Sequence, residues 1–328
     1  MNHQATLRML DHPITDARAW VGEDLSPADW TITLPAEALA ELRDVLKQLR
    51  YAPLNTLLLD PQDFALDACR AVMERLREQL RNGIMFAVLD RLPVEEMTKA
   101  EATQLYWLLA NMVARPVAQK LNGQMFFDVR DTGAKLKPGS GIRPTVTNVD
   151  LTYHNDNSYN DTPPDVVALL CLHHAMEGGI SRVVSVYSVH NALLADHPAL
   201  LRRLYQPVWY DRHAEHLPDE PNAFSAPVFE YTDVLNTRLA LSEIYAGYAL
   251  KGGAPDQETS EALAAVQSVF NRPDLRVELQ MQAGQIQFVN NRATGHARTE
   301  FQDFPEPERK RHLVRLWLRE HGKRSYRG

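Results

Sequence analysis

The chain has little cysteine and no long apolar run, and each absence excludes a class of protein. Its 328 residues include two cysteines, Cys69 and Cys171, both in apolar-rich segments. Two cysteines cannot form the disulfide framework of a secreted protein, so a reducing cytoplasm is the expected location. The longest apolar run, residues 166–172, is far too short to span a bilayer, and residues 1–11 hold no apolar stretch typical of a signal peptide. We therefore expect no membrane partner.

The charge balance argues against nucleic acid as the main partner. The chain has 35 basic and 42 acidic residues, a formal net charge of −7, and one dense basic run, Arg309, Lys310 and Arg311. Proteins that bind nucleic acid usually carry a larger basic patch. Hydrophobic residues make up 45% of the chain, which is enough for a sizeable core. A disordered chain is therefore not expected.

Two styles of sequence follow one another along the chain. Apolar residues at helical spacing predict helices over residues 36–49, 61–80 and 94–114, with one strand over residues 84–89. After Pro116, the Asn122-Gly123 pair predicts a hairpin turn, and short apolar runs separated by Gly, Pro and Asn predict strands. These strands cover residues 166–172, 183–186, 227–231, 275–281, 286–289 and 312–318. The pattern is typical of a sheet sandwich or a double-sheet jelly roll.

The same pattern predicts one domain over residues 1–328, because it contains no internal repeat and no linker. We expect a helical N-terminal flank over residues 1–115 and a jelly-roll core over residues 116–328. Helix-like pieces at about residues 187–272 indicate an insertion between strands that could serve as a lid. The Gly- and Pro-rich residues 131–147 predict a mobile loop that orders when a ligand binds.

A histidine, one residue and an aspartate stand together as His154, Asn155 and Asp156, and His296 follows far downstream. In an extended segment, residues two apart point the same way, so His154 and Asp156 can share a metal ion. Two imidazoles and a carboxylate suit Fe(II) and leave coordination positions open for oxygen chemistry. The alternative is that His154 is an ordinary polar loop residue.

A second triplet with the same spacing occurs at His213, Ala214 and Glu215. It lies among other charged residues, so we interpret it as part of a solvated loop and expect it not to bind metal.

Three blocks of sequence, in order, resemble the taurine dioxygenase / clavaminate synthase-like family of Fe(II)- and 2-oxoglutarate-dependent oxygenases. The first is His154-Asn155-Asp156 with residues 163–172 and 178–181, the second is residues 291–301, and the third is residues 311–319. The resemblance covers about residues 150–320. It implies a mainly β fold with helices, built on a double-stranded β-helix. It also implies that His154, Asp156 and His296 bind iron and form the catalytic centre.

The resemblance further implies how the co-substrate 2-oxoglutarate binds. Arg315, nineteen residues after His296, matches the family's arginine for the distal carboxylate, which a guanidinium can grip with two hydrogen bonds. Ser181, after the Gly178-Gly179 turn, matches a residue that assists. Arg311 matches a contact to the carboxylate near iron. The alternative is that residues 309–319 form a basic outer face of an edge strand.

The substrate residues are less well defined. Arg319 matches an arginine that binds the substrate carboxylate in amino-acid-oxidising relatives, although a surface arginine is the alternative. Asn157, Ser158 and Tyr159 are polar neighbours of the metal triplet and are expected to line the pocket.

The expected reaction is hydroxylation, desaturation or ring closure at an unactivated C–H bond of a small, carboxylated substrate, with O2 consumed and succinate and CO2 released. Halogenating members of the family have a small residue in place of Asp156, so halogenation is not expected. Two alternatives stay open: a jelly-roll metalloenzyme that uses no 2-oxoglutarate, and a non-catalytic jelly-roll binding protein. A homo-oligomer is compatible with the sequence.

Overall fold

The protein is described by a computed structural model over residues 8–135 and 144–328. Residues 136–143, the middle of the predicted mobile loop, lie outside the described residues, so that prediction stays open. The α-helices of the described part, α1 to α8 in chain order, are Pro27–Trp30, Ala36–Tyr51, Asp67–Asn82, Lys99–Val113, Val186–Asp196, Pro198–Leu204, Leu241–Leu250 and Gln257–Phe270. None of these helices combines the length and apolar character needed to cross a membrane.

The strands of the described part belong mostly to two facing sheets. In chain order, β1 to β17 are Thr31–Thr33, Phe86–Asp90, Arg115–Val117, Phe127–Val129, Leu151–His154, Val166–His173, Glu177–Gly178, Ser181–Ser185, Pro207–Asp211, Ala223–Pro227, Phe229–Tyr231, Leu235–Thr237, Arg276–Leu279, Ile286–Asn290, Thr294–Arg298, Phe301–Gln302 and His312–Arg319. The seven-stranded sheet has the order β1-β2-β14-β6-β17-β3, with β4 also paired to β17. The four-stranded sheet has the order β13-β8-β15-β5.

Strand β17 shows how the alternation of a strand separates the two faces of the larger sheet. Val314, Leu316 and Leu318 pack into a core with the N-terminal helices. Leu313 and Trp317 point the other way, into a second core shared with Val183 and other residues of the four-stranded sheet. Successive side chains of a strand point to opposite faces. The strand therefore closes the core on one side and lines the space between the sheets on the other.

Helices cover the outer face of each sheet. Helix α3 buries Cys69, Val72, Met73, Leu76 and Leu80, which recur at helical spacing. With α2 and α4 it packs on the larger sheet, while α5 and α8 of the insertion share a core with the outer face of the smaller sheet. The mainly β fold with flanking helices is thus confirmed, and the two sheets are not closed into a barrel.

Several predicted boundaries shift for local reasons. The helix predicted at residues 61–80 is split, because Asp60 caps a short 3₁₀ turn at Pro61–Asp63 and α3 starts only at Asp67. The helix predicted at residues 94–114 begins at Lys99, because Thr98 and Glu101 form a capping box. The N-terminal flank also joins the core sheet, since its strands β1 and β2 extend the seven-stranded sheet.

The hairpin predicted at Asn122-Gly123 is only half correct. The turn exists, with Gly123 at a φ of 84° and the Gln119 amide donating to the Gln124 carbonyl. However, β3 and β4 on either side do not pair with each other. Both pair with β17, at different points along its length.

Candidate active site

Neighbouring strands bring the two predicted metal histidines together. His154 ends β5 and His296 lies in the middle of β15, and the two residues are directly paired across these antiparallel strands. Their ring centroids are 4.3 Å apart. Asp156 follows two residues after β5, and one potential ligand atom from each of the three side chains lies within 4.8 Å of the others. The structure therefore gathers the three residues at one point between the sheets.

The three side chains converge through defined atoms. Oδ1 of Asp156 lies 3.4 Å from Nε2 of His154 and 3.9 Å from Nε2 of His296. Nδ1 of His154 is 2.9 Å from the Thr152 carbonyl oxygen, so it carries the proton and donates. The lone pair on Nε2 is then available to a metal ion. A two-histidine, one-carboxylate set with oxygen and nitrogen donors and no thiolate is the set that Fe(II) favours.

The other oxygen of Asp156 is held by strand β17. Oδ2 lies 3.0 Å from Nη1 of Arg315 and accepts a hydrogen bond of 2.7 Å from Nε1 of Trp317. Burial alone would raise the pKa of Asp156, but Arg315 and the two histidines outweigh it and hold that pKa far below its usual range. The carboxylate is therefore ionised, with Oδ1 directed at the histidines.

Burial also keeps His296 uncharged. It lowers the pKa of His296 to about 3, with the nearby His154 and Arg315 adding to the effect and Asp156 opposing it. At neutral pH the imidazole is the neutral form that a metal ion requires.

A cavity between the two sheets extends from the triad. Its walls are mostly apolar, with a few polar side chains directed inward. The apolar side chains include Val129, Leu151, Val167, Leu169, Met281, Val289 and Leu313, and the polar ones include Thr145, Ser181, Gln287, Arg298, Arg311 and Arg315. Ser181 donates a 2.8 Å hydrogen bond to Gln287, which joins the two sheets across the cavity.

Arg311 stands at the end of the cavity away from the triad. It is four residues from Arg315 along the chain, so the two Cα atoms are at most about 13 Å apart at the usual rise of a strand. Its guanidinium lies 5.0 Å from the ring centroid of Phe301 and against Gly179, where a Cβ atom would come within 3.1 Å of Nε. Gly179 has a φ of 67°, so the turn needs glycine for its backbone as well as for this close approach.

Arg311 is charged, buried and incompletely satisfied. Nη1 has no hydrogen-bond partner among the described residues, and the side chain is 6% exposed. Burial lowers the pKa of Arg311 to about 10, which still leaves the guanidinium protonated at neutral pH. A buried donor without a partner is unfavourable. This end of the cavity is therefore suited to an anion such as a carboxylate.

Arg315 differs from Arg311 because it contacts other side chains beside the triad. Its Nε donates to Oε1 of Gln119 at 2.8 Å, and its guanidinium lies 5.0 Å from the ring centroids of both Phe127 and Trp317. Arg315 therefore lies beside the triad, where the sequence predicts Arg311. The roles predicted for the two arginines stay predictions.

The position of Arg319 does not support its predicted contact with the substrate. It does not line the cavity, and its guanidinium donates to the main-chain carbonyls of Thr162, Lys323, Ser325 and Tyr326. The reason is that the C-terminal residues fold back over the end of β17 and present these carbonyls to it.

The polar residues that follow Asp156 are also buried inside the protein and do not line the cavity. Oδ1 of Asn157 accepts a hydrogen bond from the Tyr326 hydroxyl, and the Ser158 hydroxyl lies within bonding distance of the Asn155 and Leu239 carbonyls. The Tyr159 ring stands edge-on to His213 at 5.3 Å. None of the three lines the described cavity, so their predicted contact with substrate is not supported by their position.

The two potential ligands of the second triplet contact different partners. His213 is bonded through Nε2 to Glu243 of α7 at 2.8 Å, and Glu215 instead lies near the Leu121 amide. The loop is less solvated than predicted, since the His213 side chain is 29% exposed. Sequence reasoning also missed Trp317, Gln287 and Gln119. Only Trp317 had a signal, its position two residues from Arg315 on the same strand face.

The chain matches known proteins over most of its length. The family model described as taurine catabolism dioxygenase TauD, TfdA family, matches residues 48–317. The chain is 29% identical over 317 residues to FR-33289 synthase of Streptomyces rubellomurinus, covering 95% of this chain and 92% of that protein. It is 26% identical over 317 residues to a taurine hydroxylase-like protein of Stachybotrys chartarum, covering 92% of this chain and 79% of that protein.

Solved structures share the fold at low sequence identity. An asparagine oxygenase in complex with Fe(II), 3-hydroxyasparagine and succinate has a TM-score of 0.65 at 22% identity, covering 89% of this chain and 94% of that one. The non-heme iron oxygenase OrfP in complex with Fe and α-ketoglutaric acid has a TM-score of 0.64 at 14% identity, with the same coverage.

Replacement of either histidine tests the metal centre. We expect His154→Ala and His296→Ala each to weaken Mn(II) binding by more than about 100-fold, because loss of a ligand should exceed the usual effect of losing an outer-sphere partner. Titration of the metal-free protein with Mn(II), followed by electron paramagnetic resonance, measures this. His213→Ala is the matched control and should bind Mn(II) normally. Tight binding by His154→Ala would show that the triad is not the site.

Proposed function

Since the chain belongs to the TauD, TfdA family and is an Fe(II)- and 2-oxoglutarate-dependent dioxygenase, we propose which of its side chains hold each reactant. The proposed reaction is oxidation of an unactivated C–H bond of a small, carboxylated substrate such as an amino acid or a natural-product intermediate. Membership of the family disfavours both a jelly-roll metalloenzyme without 2-oxoglutarate and a non-catalytic binding protein.

His154, Asp156 and His296 are the proposed ligands of Fe(II). Support comes from Oδ1 and the two Nε2 atoms, which converge within a few ångströms while the remaining carboxylate oxygen is bonded elsewhere. Three protein ligands on one side leave the rest of the coordination sphere for other groups.

Arg311, rather than Arg315, is the proposed anchor for the distal carboxylate of 2-oxoglutarate. The observation that carries this assignment is the buried, unpartnered Nη1 of Arg311 at the end of the cavity remote from the triad. A five-carbon dicarboxylate held at the metal by its keto-acid end would direct its other carboxylate along the cavity toward Arg311. Ser181 and Gln287 lie between the two ends, so the predicted assisting role of Ser181 is retained.

Arg315 then has a different role. Its positive charge, 3.0 Å from Asp156, keeps that carboxylate ionised inside the protein and adds positive charge near the metal end. When bound, Fe(II) and 2-oxoglutarate supply the oxidising chemistry with O2, and the co-substrate leaves as succinate and CO2. The apolar walls formed by residues such as Val289 and Leu313 exclude water from that space.

A carboxylated substrate fits the charge of the cavity. Arg298, Arg311 and Arg315 line it together with one carboxylate, Asp156. Added Fe(II) and the dianion 2-oxoglutarate cancel each other, so the filled site would keep a net positive charge. The solved relatives with hydroxylated asparagine and hydroxylated arginine bound are amino-acid oxygenases of the same fold. Arg319 is no longer proposed as the substrate contact. The cytoplasmic location and a homo-oligomer remain proposals from the sequence.

Replacement of each arginine by alanine tests which one binds 2-oxoglutarate. We expect Arg311→Ala to raise the apparent KM for 2-oxoglutarate by roughly 30- to 1000-fold, because a charge-assisted, two-bond contact is worth about 2–4 kcal/mol. Succinate formation at increasing 2-oxoglutarate concentration measures it. Arg309→Ala is the control, since Arg309 is an exposed arginine two residues away, and its KM should not change. If Arg315→Ala raises this KM and Arg311→Ala does not, the original assignment of the two arginines is correct.

The substrate class is tested by a panel of amino acids and other small carboxylates. We expect some members to stimulate succinate formation and their amide or ester counterparts to lose most of that effect, because binding contacts remote from the target carbon position it for reaction. Product and succinate are measured together for each compound. A neutral analogue that is turned over as well as its acid would contradict a carboxylated substrate.

A further inference from the structure

The carboxylate of Asp156 is supported from behind by two aromatic residues near the C-terminus. We propose that Trp317 and Tyr326 are positioning residues that hold Asp156 in a one-oxygen binding mode, with Tyr326 delivered by the C-terminal segment that Arg319 fixes. The inference rests on the proposed role of Asp156 as a metal ligand, and it concerns residues that do not themselves contact the metal.

Trp317 and Arg315 share one oxygen of Asp156. Nε1 of Trp317 donates at 2.7 Å and Nη1 of Arg315 lies at 3.0 Å, both on Oδ2. Trp317 is 1% exposed, so no water competes for this hydrogen bond. With Oδ2 occupied by two donors, only Oδ1 remains directed at the histidines. A carboxylate held in this way offers a metal ion one oxygen rather than two.

Tyr326 holds both the tryptophan and the loop that carries Asp156. Its ring stacks on Trp317 with centroids 6.4 Å apart and an interplanar angle of 29°. Its hydroxyl donates to Oδ1 of Asn157 at 2.8 Å, and its carbonyl accepts from Nδ2 of Asn160 at 2.9 Å. Asn157 has a φ of 59°, in the left-handed region, which asparagine adopts more readily than most residues other than glycine. The bonds of Tyr326 to Asn157 and Asn160 hold this turn, directly after Asp156, from outside the loop.

The segment that carries Tyr326 has no regular structure of its own and depends on β17. Arg319, which is 3% exposed, donates to the carbonyls of Ser325 at 2.9 Å and Tyr326 at 2.8 Å. It also donates to Thr162 at 3.0 Å, and the Ala118 amide donates to Arg324 at 2.8 Å. These bonds tie residues 323–327 to the sheet. The carbonyls of this segment are in turn the partners of the buried Arg319 guanidinium.

The test uses conservative aromatic substitutions in the 328-residue chain. Trp317→Phe removes the indole N–H that bonds Asp156, and Tyr326→Phe removes only the hydroxyl that bonds Asn157. Trp107→Phe is the matched control for the first, because Nε1 of Trp107 donates to a buried carbonyl, that of Leu59, on the helix side of the larger sheet. Tyr205→Phe is the control for the second, because its hydroxyl is bonded to His190 within the insertion.

We expect Trp317→Phe to weaken Mn(II) binding by about 10- to 100-fold, the range typical for loss of an outer-sphere partner of a metal ligand. Tyr326→Phe should weaken it in the same direction by a smaller factor, because it acts through Asn157. Both controls should bind Mn(II) as the wild type does, even if their melting temperatures fall. The visible spectrum of the Co(II)-loaded protein provides a second readout, since a change from one to two bound carboxylate oxygens alters its intensity.

The possible results separate this inference from the proposed metal centre. If the wild type binds Mn(II) and His154→Ala does not, the metal centre stands. If Trp317→Phe and Tyr326→Phe then match their controls in affinity and in the Co(II) spectrum, the two aromatics are merely structural and the positioning role is overturned. If His154→Ala binds Mn(II) normally, the metal centre itself is wrong.

Discussion

The architecture of the site depends on one buried ion pair, between Asp156 and Arg315. Both side chains are less than a tenth exposed, and removing either partner of such a pair typically costs about 3–5 kcal/mol because the other charge is left uncompensated. Asp156 comes from the loop after β5 in the smaller sheet, whereas Arg315 belongs to β17 in the larger one. The pair therefore joins the two sheets at the metal end of the cavity, as Ser181 and Gln287 do further along.

Strand β17 can place polar side chains inside the protein because its two faces have different surroundings. Its outward side chains, Val314, Leu316 and Leu318, are fully engaged with the N-terminal helices and hold the strand in the middle of the sheet. Its inward side chains are then free to be polar without loss of the core. Arg315 and Trp317 contact Asp156. Arg311, just before the strand, lines the other end of the cavity. One rigid strand thus sets the distance between the metal ligands and the proposed carboxylate anchor.

Local patterns revealed the triad and the strands, and long-range contacts explain what they missed. His154 and His296 were identified because the residue types and three ordered blocks of sequence are specific, and direct pairing of β5 with β15 brings them together. The sequence could not show which of Arg311 and Arg315 lies beside Asp156, because spacing does not say which end of a strand lies at the triad. A shift in the register between His312 and Leu313 adds to this difficulty. The contacts of Arg319 could not be predicted, because its partners are main-chain carbonyls, which have no signature in side-chain patterns.

Asn155, the residue between His154 and Asp156, ties the insertion to the strands that carry the triad. Its Nδ2 donates to the carbonyls of Asn291 and Thr294, both at 2.7 Å, which fixes the turn leading into the strand of His296. Its Oδ1 accepts from the Leu239 amide at 2.7 Å, and its own amide donates to the Leu239 carbonyl at 2.8 Å. An apolar residue here would leave several buried main-chain groups unpaired, at a cost of about 1–3 kcal/mol each. Asparagine supplies two donors and an acceptor in one short side chain, so a single residue holds both histidine strands and the insertion in register.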